Sequence, residues 1–317
     1  MTDKSFIEPR EQQSQIYQQG YEKWSGEREY FIPPWLLIGK TVLRNVFTHS
    51  GCLGRLFFIF VVIIPMGIYY FFALGSTFTF FQAENLKDLQ FFSIFSQILQ
   101  QLPDISVGQI NKSFVLIPSL VFTPIAMVFY GSQLISKDKA ANALQVYFSK
   151  AISRWDYVLG KYFAVGVMTA SVTLVPSAMI LGVGLVFTTD YVLFFQQSWY
   201  IPFLTITYWA ILTLVYGSIT LAFSAMFSKS YMAAVGIIGF QIFCAVLSFL
   251  LIQIFGATDF LNGFNWAFSL WGLGSSIFDL SIESPSATFW RLIDMGLIAA
   301  AGVVVVFRKI NPVEVIK

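Results

Sequence analysis

A Lys, Arg or Asp at the centre of a membrane helix costs about 2.5 to 3.5 kcal/mol. This 317-residue chain nevertheless holds five long stretches without Asp, Glu, Lys or Arg: Leu56 to Ala83, Ser113 to Ser136, Tyr162 to Thr189, Tyr191 to Ser228 and Ser230 to Thr258. Each exceeds the roughly 20 residues that a spanning helix needs, so each is expected to contain a span. A sixth, Phe289 to Phe307, carries Arg291 and Asp294 in its first turns. Its apolar part, Met295 to Phe307, reaches only about 20 Å at 1.5 Å per residue, so those first turns must be recruited.

The expected fold class is an all-α polytopic membrane protein with six transmembrane helices. Composition agrees, since 56% of residues are hydrophobic and 11% charged, against about 45 to 50% and about 25% in an ordinary soluble domain. Phe260 to Phe278 is also uncharged, but its Asn, Gly and Ser residues make it a poor lipid-facing helix. It reads as a broken, re-entrant or interfacial hairpin, which survives at membrane depth only when packed on protein.

Lys and Arg set the orientation. With six spans and both ends inside, cytoplasmic segments hold 16 of the 19: seven before the first span, then Lys137, Lys139, Lys150, Arg154, Lys161, Lys229, Arg308, Lys309 and Lys317. Only Lys87, Lys112 and Arg291 fall outside. A seventh span through 260–278 would reverse the C-terminal charges against the positive-inside tendency.

The expected organisation is a polar cytoplasmic tail at 1–32, an interfacial amphipathic helix at 33–55, a transmembrane domain at 56–310 and a cytoplasmic C-terminus at 311–317. The domain includes a cytoplasmic loop at 136–161 and an external hairpin region at 257–286. In the amphipathic helix Trp35, Ile38, Val42, Leu43, Val46 and Phe47 recur at helical spacing, opposite Lys40, Arg44 and Asn45. Similar spacing at Leu86, Leu89, Phe92, Phe95, Ile98 and Leu99 predicts another such helix in the first external loop.

The most informative segment is Ser136 to Lys161, SKDKAANALQVYFSKAISRWDYVLGK. A charged cluster, Lys137, Asp138 and Lys139, precedes a short stretch with apolar Leu144, Val146, Tyr147 and Phe148, then Ser149. Ser153 and Asp156 form an S-x-x-D capping box that starts the next helix. This segment resembles the corresponding loop of ABC-2-type transporter permeases, the membrane-spanning subunits of ATP-binding-cassette transporters. Their pattern runs roughly D-R-x-x-G-T-L-x-L-x-L-S-x-P-I-S-R-x-x-Y-x-x-G-K. The match lies at Asp138, Lys139, Leu144, Val146, Phe148, Ser149, Ile152, Ser153, Arg154, Tyr157, Gly160 and Lys161, with departures at Asn142, Ala143 and Ala151.

The resemblance implies a dimeric permease, homodimer or paired with a related permease, in a bacterial inner membrane. It further implies export driven by separate cytoplasmic ATPases that carry the ATP and Mg, with no cofactor in this chain. The docking contacts it implies are Lys137, Asp138, Lys139, Leu144, Val146, Tyr147, Phe148, Ser149 and Arg154.

Other chemistry finds little support. Ile38-Gly39-Lys40-Thr41 and Leu159-Gly160-Lys161 imitate the end of a P-loop, but the first lacks the opening Gly and the second has Tyr162 where Ser or Thr belongs. His49 is the only histidine, Cys52 and Cys244 are the only cysteines, and neither H-E-x-x-H nor G-x-S-x-G occurs. Catalytic and metal sites are therefore not expected, and no nucleic-acid partner. Arg291 and Asp294, three residues apart, form a candidate intramembrane pair, either structural or on a substrate path. A secondary transporter, a channel and a membrane-embedded enzyme remain the competing readings.

Overall fold

The computed structural model describes residues 33–48, 107–149, 152–188, 191–256, 265–280 and 285–310, with scattered positions between 63 and 75. Its regular elements among these residues are all helical. They are α1 (Pro34–Thr48), α2 (Val107–Phe129), a 3-10 turn at Gly131–Gln133, α3 (Ser136–Ala140), α4 (Ala143–Ser149), α5 (Arg154–Phe187), α6 (Tyr191–Ser198), α7 (Ile201–Met226), α8 (Ser230–Phe255), α9 (Trp266–Asp279) and α10 (Pro285–Lys309).

Five segments are long and apolar enough to cross a membrane: Gly108–Ala140, Arg154–Phe187, Tyr191–Met226, Ser230–Phe255 and Pro285–Lys309. The chain is a multi-pass helical membrane protein. Most of the expected first span, Leu56 to Ala83, lies outside the described residues, as do the polar tail, the first external loop and the C-terminal residues 311–317.

Helix α7 is the axis of the bundle. Tyr208, Leu212, Val215, Tyr216 and Leu221 are fully enclosed, and α7 packs against α2, α5, α8, α9 and α10. Small residues let these helices approach. A Cβ added at Gly302 of α10 would stand 2.7 Å from the Ser218 carbonyl oxygen of α7. Hydroxyls join the helices where packing is polar: Ser119 to Tyr208 at 2.7 Å, Thr169 to Thr213 at 2.7 Å, and Asn111 to Ser177 at 3.0 Å. By contrast, α8 turns Ile242, Phe243, Val246, Phe249, Leu250 and Ile254 outward, as a lipid-facing helix does.

Helix α1 lies across the start of α5. Ile38 is buried and Trp35 meets Phe163 edge-on at 5.7 Å, while Lys40, Arg44 and Asn45 are exposed. The crossing depends on two glycines. A Cβ at Gly39 would stand 3.0 Å from the Gly160 carbonyl oxygen, and one at Gly160 would stand 2.7 Å from that of Trp35. The two sequences that imitate a P-loop thus pack on each other, with their glycines serving close backbone approach.

Within the segment read as a broken, re-entrant or interfacial hairpin, the described residues form the helix α9, which Gly272 and Gly274 do not interrupt, while residues 257–264 and 281–284 lie outside the described residues. Asn265 caps it by accepting from the Phe268 N–H. Gly274 sits where a Cβ would stand 2.4 Å from Leu116 and 2.8 Å from Tyr208, so tight packing outweighs the helix penalty of about 1 kcal/mol for Gly. At 14 residues α9 is about 21 Å long, too short to cross. Trp266 at its start meets Tyr216, 5.0 Å between ring centres, whereas Phe278 near its end meets Tyr208 at 6.1 Å. Counted along α7 from Ile201, Trp266 lies at about 22 Å and Phe278 at about 10 Å. Helix α9 therefore rises from mid-bundle toward the end where α10 begins.

Candidate functional site

At the other end of the bundle the chain turns irregular between α2 and α5, and side chains satisfy the freed backbone. The Ser224 Oγ of α7 accepts from the N–H groups of Ile135 and Ser136 at 2.8 and 3.0 Å and donates to the Ser132 carbonyl at 2.9 Å. Ser136 Oγ bonds the Ser132 carbonyl at 2.6 Å and Ser230 Oγ of α8 at 2.8 Å. Lys139 donates to the Ala225 carbonyl at the end of α7, 3.1 Å away. An irregular backbone is stable at such depth only with partners of this kind.

Asp138 is the centre of the second set of contacts. Its Oδ2 accepts from Lys161 Nζ at 2.6 Å and from Tyr157 Oη at 2.7 Å. Both donors lie on α5, four residues apart and so on one face. The Lys161 side chain is only 3% exposed, and a cation so enclosed needs an anionic partner. The Ser153 and Asp156 capping box forms as expected, with Ser153 Oγ accepting from the Asp156 N–H at 3.1 Å and Asp156 Oδ2 from the Ser153 N–H at 3.2 Å.

Helix α4 lies over this ion pair. Tyr147 and Phe148 meet Tyr157 at 5.6 and 5.9 Å between ring centres, and Leu144 packs against the same core. Burial, and then the Asp138 charge, hold the Tyr147 phenol above its ordinary range, so it stays a neutral donor at physiological pH.

This placement sorts the nine residues read as a docking face. Asp138, Lys139, Leu144, Tyr147 and Phe148 are half-buried, and part of each side chain is taken up by contacts with its own bundle. Lys137 and Arg154 are exposed and Val146 is half exposed, with Gln145, Ala141 and Asn142 completing an outer surface. Ser149 ends α4. Sequence reasoning had Tyr157 and Lys161 only as pattern matches and missed their shared partner, though a Tyr and a Lys four residues apart beside an Asp-containing loop was a usable signal.

Arg291 and Asp294 both lie in α10 but form no ion pair, contrary to the candidate pairing. The Arg291 guanidinium lies on Gly272 of α9, where an added Cβ would stand 2.5 Å from its Cζ. The Oδ2 of Asp294 is buried without a hydrogen-bond partner among the described residues. Among the described residues no group of three or more His, Cys, Asp or Glu could hold a metal ion.

No known family model matches the chain, and no curated protein matches it.

Proposed function

We propose that this chain is the membrane-spanning subunit of an ATP-driven exporter of the ABC-2 type, working as a dimer above separate cytoplasmic ATPases. The observation that carries the proposal is the anchoring of 136–149. Its inner side is tied to α5 by Asp138, to α7 by Ser224 and to α8 by Ser230, while its outer side stays accessible. A load applied to that outer side reaches three spanning helices through short polar contacts.

The transported substrate would be moved by rearrangement of the helices, with hydrolysis on the partner and no catalytic residue in this chain. The sequence pattern from Asp138 to Lys161 supports this assignment independently of the bracing. The test is co-reconstitution with an ATP-binding-cassette ATPase that co-purifies with this chain. Coupled, vanadate-sensitive ATP hydrolysis is expected only when both components are present, and vigorous hydrolysis by the isolated chain would contradict the reading.

A further inference from the structure

A cleft of about 420 Å³ opens between α8, α9 and α10, in the half of the bundle where α9 ends and α10 begins. Its walls are aromatic and aliphatic: Phe249 and Ile252 from α8, Phe268 and Trp271 from α9. Phe249 and Phe268 are largely exposed at its edge, so the cleft communicates with the lipid-facing surface. Two features make its polar part electropositive.

The first is Arg291, which lines the cleft. It has no hydrogen-bond or ion-pair partner among the described residues. The nearby acidic side chains do not pair with it: Asp279 binds Lys112, and Asp294 is not among the residues that line the cleft. Arg291 lies about 9 Å along α10 from its start, and there a guanidinium is costly unless it finds an anion. The guanidinium lies against Gly272, whose missing Cβ leaves the room.

The second feature is the start of α9. Asn265 and Phe268 line the same cleft, and the first turn of a helix carries partial positive charge. A guanidinium fork and a helix start within one apolar cleft suit an anion that carries hydrocarbon. Guanidinium also matches phosphate oxygens two at a time.

We infer that this cleft binds the headgroup of an anionic phospholipid from the surrounding membrane. The phosphate engages Arg291, the glycerol region lies between Phe249, Phe268 and Trp271, and the acyl chains leave along the exposed face of α8. The volume holds a headgroup and its glycerol, not a whole lipid. This binding does not depend on the chain being a transporter subunit.

The experiment is native mass spectrometry of the purified full chain from mixed phosphatidylglycerol and phosphatidylcholine vesicles. Wild type should retain phosphatidylglycerol about tenfold over phosphatidylcholine, equivalent to about 1.4 kcal/mol. Arg291→Gln should abolish the preference, Arg291→Lys should restore part of it, and Gly272→Ala should weaken it by displacing the guanidinium. Arg308→Gln, at the other end of α10, should leave it unchanged. Thermal melting of each variant separates loss of binding from loss of fold. Equal retention of both lipids by wild type, or an unchanged preference in well-folded Arg291→Gln and Gly272→Ala, would overturn the inference. So would displacement of the lipid by millimolar glycerol phosphate, which would make this a site for soluble phosphates.

Discussion

Asp138 and Lys161 stand 23 residues apart in the chain and 2.6 Å apart in space, with the ammonium sealed from solvent and the carboxylate shared with Tyr157. The contact pins the short helix α3 to the first turns of α5. It converts a loop that the sequence presents as a charged surface into a braced part of the bundle.

Removing one partner of a buried ion pair leaves the other uncompensated, at a cost of about 3 to 5 kcal/mol. Asp138→Asn should therefore lower thermal stability markedly in detergent, although Asn can still accept from Tyr157. The double variant Asp138→Asn with Lys161→Met should recover much of the loss, because no stranded charge remains. A single variant as stable as wild type would remove the pair from the account of the joint.

The crossing of α1 on α5 makes a sharp prediction about glycines. Gly160→Ala places a methyl 2.7 Å from a backbone carbonyl, and such overpacking costs about 1 to 3 kcal/mol. Gly239→Ala meets nothing within 4 Å and should be neutral, or stabilising by up to about 1 kcal/mol through helix propensity. Melting curves of the two variants side by side test this contrast.

These elements show how far the sequence could be read. Four of the five uncharged stretches coincide with long helices among the described residues, because desolvating a charge at a helix centre is costly, and Ser153 with Asp156 marked the start of α5 through local hydrogen bonds alone. The regular helix α9 was not legible because Gly272 and Gly274 are poor helix formers in isolation, whereas in the bundle they make room for Arg291 and for Leu116 and Tyr208. Spacing likewise identified the apolar stripe of α4. It could not show that Tyr147 and Phe148 meet Tyr157, since that depends on contacts between residues distant in sequence.

Orientation can be checked directly. In a background lacking Cys52 and Cys244, a cysteine at Gln145 should react with impermeant maleimide only from the cytoplasmic side, and one at Leu280 only from outside. Both positions are exposed, and they lie at opposite ends of the bundle. Reversed labelling would contradict the orientation drawn from Lys and Arg.

The central claim is that force from a separate ATPase enters through the outer surface of 136–154, and Val146→Asp probes it most directly. Val146 is half exposed, so a carboxylate there should leave the fold intact but be desolvated on docking, at a cost of several kcal/mol. Leu144→Asp and Phe148→Asp are poorer probes, since both side chains pack on the core and their charges should damage the bundle itself. The decisive measurement is substrate-stimulated ATP hydrolysis in vesicles holding this chain and an ATP-binding-cassette ATPase that co-purifies with it. The account predicts that Val146→Asp lowers it at least tenfold while melting temperature and dimer content stay at wild-type values. Undiminished stimulated hydrolysis in a well-folded Val146→Asp protein would contradict it.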